Sequence, residues 1–197
     1  MRETFITAVE EGLLAVVKIC IENGMDINTI YPPKRNPGES RTALTEAAYR
    51  GHIEIVQFLI DSGADIHFHC ENTSVLNQAA RGGHLNIVKL LVDAGVKLDT
   101  CDSTPLIRAI CGGSCSMELA QYLIDAGDRL DVGDFYSPLI CAVHRGRLDL
   151  VTLLVDAGAD INYKPKWSDR TTMQWAMDSS LDDRLPIIEY LQNKITV

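Results

Sequence analysis

One sentence of amino acids is written three times in this chain. Gly51-His-Ile-Glu-Ile-Val-Gln-Phe-Leu-Ile-Asp-Ser-Gly-Ala-Asp-Ile66 returns as Gly83-His-Leu-Asn-Ile-Val-Lys-Leu-Leu-Val-Asp-Ala-Gly-Val-Lys-Leu98. It returns again as Gly146-Arg-Leu-Asp-Leu-Val-Thr-Leu-Leu-Val-Asp-Ala-Gly-Ala-Asp-Ile161. The closing glycines Gly63, Gly95, Gly127 and Gly158 step by 32, 32 and 31 residues. A unit this short cannot bury its own apolar face, so the chain must stack its units on one another.

Each unit reads as two helices. Upstream of the opening glycines Gly51, Gly83, Gly113 and Gly146 lies a shorter helical pattern: Thr42-Ala-Leu-Thr-Glu-Ala-Ala48, Ser74-Val-Leu-Asn-Gln-Ala-Ala80, Thr104-Pro-Leu-Ile-Arg-Ala-Ile110 and Ser137-Pro-Leu-Ile-Cys-Ala-Val143. Ser or Thr suits an N-cap, and Pro is harmless at the first helical position, where its missing N–H would be unpaired anyway. The small pair Ala47-Ala48 or Ala79-Ala80 allows close packing. The opening glycine ends the first helix. Ile55, Val56, Leu59 and Ile60 then share one face of the second, and the closing glycine suits a left-handed cap.

These stretches resemble the Thr-Pro-Leu-His-x-Ala signature of the ankyrin repeat, whose period is about 33 residues. The resemblance covers nearly the whole chain. It implies an all-α solenoid of helix-turn-helix units joined by β-hairpin loops. It also implies that His52 and His84 brace the turn between helices, and that a concave surface of hairpin tips and first helices binds other proteins.

We read one domain over residues 1–197, in six units. Residues 1–30 form an N-terminal cap repeat and 31–41 an inserted finger. Residues 42–67, 74–99, 104–131 and 137–162 form internal repeats, and 171–197 a C-terminal cap repeat. Both end units are degraded, as caps are, which suits a complete array. The finger holds about seven extra residues with three prolines, a composition for an extended, semi-rigid segment. A second, two-residue insertion falls near Ser114-Cys-Ser116.

Charge narrows the function. With 18 Lys+Arg against 27 Asp+Glu, the 197-residue chain carries a formal −9. This argues against nucleic acid and anionic membranes as partners. No apolar run reaches the ~18 residues of a membrane span, and Glu3, Glu10 and Glu11 break any signal peptide. Six cysteines without an export signal imply reduced thiols and a cytoplasmic location, or the host cytosol for a secreted effector. We expect a chain that is monomeric by itself.

Motifs for nucleotide binding, zinc proteolysis or serine hydrolysis are missing. No catalytic residue, metal or cofactor is implied, and we expect no enzyme. Asp26, Asp65 and Asp160 suit turn hydrogen bonding. His67, His69 and Cys70 have metal-ligand chemistry but no matching zinc spacing. Cys111 and Cys115 flank the small insertion, with Cys141 on the corresponding helix of the next unit. A thiol or metal cluster stands there against the plainer reading of half-buried thiols. Cys20 reads as core.

Function is then read from residues the repeat does not need. At the ends of first helices stand Tyr49, Arg50, Arg81, His144 and Arg145. At the hairpin tips stand Tyr31, Arg35, Phe68, His69, Phe135, Tyr136, Tyr163 and Trp167, with Arg170 beyond. Aromatic and Arg side chains are enriched at interface hot spots, and the alternative for each aromatic is to fold against its neighbouring hairpin. Arg50, Arg81, Arg145 and Arg170 suggest a cationic row for an acidic peptide. The expected function is a non-catalytic protein-binding module or scaffold. The rivals are a stoichiometric inhibitor or immunity protein, an effector binding a host protein, and, remotely, a small metal-dependent enzyme.

Overall fold

The computed structural model describes residues 1–32, 40–70, 73–98, 103–133, 136–178 and 184–195. Among them are twelve α-helices, which alternate in role along the chain. The first helices of the pairs are α1 (Arg2–Glu11), α3 (Ala43–Arg50), α5 (Val75–Gly82), α7 (Pro105–Gly112), α9 (Pro138–His144) and α11 (Thr172–Met177). Their second helices are α2 (Leu14–Glu22), α4 (Ile53–Asp61), α6 (Leu85–Asp93), α8 (Met117–Asp125), α10 (Leu148–Asp156) and α12 (Leu185–Ile195). Two strands, β1 (His69–Cys70) and β2 (Thr73–Ser74), pair antiparallel as a hairpin, with His69 opposite Ser74.

The helices fall into two compact units, Met1–Lys97 and Leu98–Val197. Within the first, α1, α3 and α5 pack side by side as one layer, and α2, α4 and α6 as a second. The other unit repeats this with α7, α9 and α11 over α8, α10 and α12. The alanine pairs decide the first layer: Ala47, Ala48, Ala79 and Ala80 are wholly buried. Between the layers lie Ile55, Val56, Leu59, Ile87, Val88 and Leu91 in one unit and Leu119, Leu123, Leu150 and Leu154 in the other, all within 1% of full burial. Each such side chain contributes about 1.5–3 kcal/mol by leaving water.

Local chemistry follows the sequence closely. Thr42, Ser74, Thr104, Ser137 and Thr171 each accept a backbone N–H of the first helical turn. Asp26, Asp65 and Asp160 accept the N–H two residues on, from Asn28, His67 and Asn162. Neighbouring turns are also tied, Asn28 accepting from Asp65 N–H and Asp131 from Asp160 N–H, both at 2.9 Å.

The histidines brace the turns by reaching back one repeat. His52 Nε2 lies 3.2 Å from the Glu10 carbonyl, and His84 Nε2 lies 3.0 Å from that of Tyr49. His84 lies so close over Gly51 (φ 84°) that a Cβ there would come within 2.4 Å of the ring. Arg147, at the matching position of a later repeat, donates to the Cys115 carbonyl at 3.2 Å.

Candidate partner-binding surface

The sequence-expected residues divide by what already holds them. In the first unit Tyr31 is buried, 6% exposed, and its hydroxyl donates to the Arg2 carbonyl. Burial raises its pKa, against the opposing charge of Arg2. A two-way backbone bridge with Arg41 closes the base of the inserted segment. Arg35, on that segment, lies outside the described residues.

Arg50 is bound to Glu46 at 2.6 Å, and Arg41 reaches both Glu10 (2.7 Å) and Glu46 (3.2 Å). Burial works against the Arg41 charge, but the hydrogen bonds to Glu10 and Glu46 outweigh it and its pKa rises. Arg81 lies over the Tyr49 ring at 5.5 Å. Phe68 is half-buried, whereas His69 is exposed.

The second unit differs. Tyr136 (40% exposed) and the exposed His144 meet Trp175 in a three-ring cluster. Tyr136 and His144 are 5.2 Å apart edge-on, Tyr136 and Trp175 5.5 Å, and His144 and Trp175 4.9 Å. Such edge and tilted contacts suit the ring quadrupoles. Arg170 lies over Trp175 at 5.4 Å and pairs with Asp178. Trp167 stands 71% exposed, and Tyr163 is half-buried.

His144 is held toward its neutral form, first by burial and then by the positive charge of Arg184, whose guanidinium donates to the His144 carbonyl at 2.8 Å. Arg145 donates to the Cys111 carbonyl. Phe135 lies outside the described residues.

The cationic row therefore has its charges largely committed. Arg50 and Arg170 are neutralised by carboxylates, Arg81 stacks on a ring, and Arg145 holds a backbone carbonyl. What the second unit presents instead is an aromatic edge.

Sequence reasoning missed Trp175. It stands four residues after its cap Thr171, in register with Glu46, Gln78, Arg108 and Cys141. That register is the unspecified position of the repeat signature, where packing sets no residue type. The residues seven after each cap are Tyr49, Arg81, Cys111 and His144. His144–Trp175 and Cys111–Cys141 are both contacts between the seventh position of one repeat and the fourth of the next. Read along that diagonal, the sequence would have disclosed both.

Among the described residues, no three His, Cys, Asp or Glu side chains assemble as a metal site, and no helix is long and apolar enough to cross a membrane.

Family models agree with the repeat pattern. Residues 5–60 match one described as ankyrin repeats in many copies, residues 67–134 one of ankyrin repeats in three copies, and residues 134–166 a single ankyrin repeat. The chain belongs to the ankyrin-repeat family, and its fold is an all-α ankyrin solenoid. Its structure is similar to the crystal structure of the human ASB11 ankyrin repeat domain, with a TM-score of 0.79 and 23% identity over 96% of this chain and 82% of that one. No curated protein matches it in sequence at a significant level. Ankyrin repeats are in general protein–protein interaction modules, and their fold is typically a non-catalytic scaffold.

Proposed function

We propose that this chain is a non-catalytic binding module whose principal contact for a protein partner is the aromatic edge of residues 136–178. The observation that carries this reading is the cluster of Tyr136, His144 and Trp175. The indole Nε1–H of Trp175 is buried without an acceptor among the described residues. An orphaned buried donor costs about 1–3 kcal/mol, and a partner carbonyl or carboxylate recovers that cost only by displacing the groups that cover it. The exposed Trp167 adds apolar area of the kind that anchors interfaces. Both are features of recognition, and the repeat scaffold requires neither.

The overall −9 charge favours a basic partner for the rest of the surface, which keeps a masking role, as inhibitor or immunity protein, beside a tethering one. An inhibitor would yield a tight one-to-one complex and loss of the partner's activity.

The test is quantitative affinity capture with the full chain as bait. A Tyr136→Ala, Trp167→Ala double variant is expected to retain less than about a tenth of the partner, because two anchors at roughly 1–2 kcal/mol each exceed a tenfold loss. An Arg50→Ala, Arg81→Ala bait should retain most of it. Equal capture by all baits, or loss confined to the arginine variant, would overturn the aromatic-edge reading.

A further inference from the structure

The same diagonal that joins His144 to Trp175 joins two thiols. Cys111 Sγ, at the end of α7, lies 2.6 Å from Cys141 Sγ on α9 of the next repeat. That is nearer the ~2.05 Å of an S–S bond than the ~3.5–4.0 Å at which unbonded heavy atoms usually rest. Helices α7 and α9 pack side by side, and Leu106, Ile110, Leu139 and Ala142 on them are buried, so the pair is held by packed helices.

The two sulfurs are unlike. Cys141 is 2% exposed, whereas Cys111 is only part-buried. A hydrogen bond from the Cys141 thiol lowers the Cys111 pKa to about 7, burial opposes this, and the charges of Arg145 and Arg108 add to the lowering. The Cys141 thiol is correspondingly held in its protonated form. A part-buried, readily ionised thiol next to a more deeply buried neutral one is the arrangement of an attacking and a resolving cysteine. Cys115 is near in sequence but different in kind. It is 4% exposed, bonds the Ser116 carbonyl, and burial pushes its pKa up to about 11.

We propose that Cys111 and Cys141 are a redox-active pair that closes into a reversible disulfide on reaction with a hydroperoxide, linking α7 to α9. The Cys111 thiolate attacks one peroxide oxygen. The O–O bond breaks, hydroxide leaves from hydrogen peroxide (or alkoxide from an organic hydroperoxide) and is protonated to water or alcohol, and Cys111 becomes a sulfenic acid. The Cys141 sulfur then attacks the Cys111 sulfur, the S–S bond forms and the S–O bond breaks. The departing hydroxide takes the Cys141 proton and leaves as water. Two thiols lose two electrons and one peroxide gains them. A dithiol reductant reverses the bond by exchange.

The bond would tie α7 to α9, the helix that also carries His144 of the aromatic edge. It stands whether or not that edge binds the partner.

The experiment uses the reduced full chain and hydrogen peroxide, followed by thiol labelling in denaturant and peptide mapping. Labelled thiols should fall from six to four, and the intact mass should drop by two hydrogens. A peptide containing Cys111 should be linked to residues 130–145, and dithiothreitol should restore all six thiols. The Cys115→Ser variant should behave identically, starting from five thiols, and it removes any ambiguity within the first peptide. Cys111→Ser should abolish the link while leaving the melting temperature near that of the reduced protein. Cys141→Ser should instead leave Cys111 oxidised without a bridge. A thiol count that stays at six, a bridge made through any other cysteine, or an unbridged Cys111 sulfinic acid in the unaltered chain would each overturn the proposal.

Discussion

Asp128 shows how one substitution in a repeat acquires a property its neighbours lack. It occupies the register where Ala64, Val96 and Ala159 are buried. Its carboxylate accepts the Leu106 N–H at 2.8 Å, within the first turn of α7. Burial pushes its pKa from 3.8 up to about 6, against the opposing hydrogen bonds from Leu106, Thr104 and Arg129. The native state therefore keeps the proton between pH 4 and 6, where the unfolded chain has released it. This contribution is most favourable below the unfolded value and is lost as pH rises through the folded one, by about 2–3 kcal/mol at most. Chemical denaturation across that window should show a stability decline that the Asp128→Asn variant flattens; an unchanged slope in the variant would reject the assignment. Glycine offers a second check at this scale. Gly51→Ala meets both a positive φ and the His84 ring, whereas Gly63→Ala meets a positive φ and open space. We expect roughly 1 kcal/mol of destabilisation at Gly63 and distinctly more at Gly51, read from denaturant midpoints. Equal losses would mean that His84 gives way freely.

The helices were largely legible because propensity, capping and periodicity agree. Thr104 and Ser137, each followed by Pro, are the caps the signature suggests, and Ser137→Ala should cost about 1 kcal/mol in thermal or denaturant unfolding; no measurable loss would mean that water replaces the hydroxyl. The small insertion was legible as a length change, but its effect was not. Ser116 becomes a true cap of α8, accepting from Leu119 N–H at 3.2 Å, where α4, α6 and α10 have no side-chain cap. Surface roles were read less well, because they depend on what side chains touch across repeats. Arg50 is the exception, since Glu46, four residues earlier on the same helix, holds it, and that i,i+4 spacing is visible in the sequence. Tyr31 sits in a polar, proline-rich segment, yet its ring is covered. Trp175 was passed over because the last repeat has lost its glycines, and its alignment to the others must be made from Thr171 instead.

At the scale of the whole molecule, the proposed contact for a partner is the aromatic edge of residues 136–178 rather than the second helices. Acidic composition does not select that edge, and neither does the cationic row, since its charges are answered internally. Oxidation of Cys111 and Cys141 would add about 3–4 kcal/mol to stability by closing a loop of ~30 residues, measurable as a higher denaturation midpoint under peroxide that dithiothreitol removes; a midpoint unmoved by bond formation would mean native strain offsets the gain. Site-specific photocrosslinking locates the partner contact directly. A photoreactive phenylalanine analogue is placed singly at Tyr136, Trp167, Ile19 and Ile53, the last two being exposed on second helices, and irradiated in the presence of the captured partner. Covalent adducts at Tyr136 and Trp167 with none at Ile19 or Ile53 is the predicted result. Adducts confined to Ile19 and Ile53 would contradict it and move the interface to the second helices of Met1–Lys97.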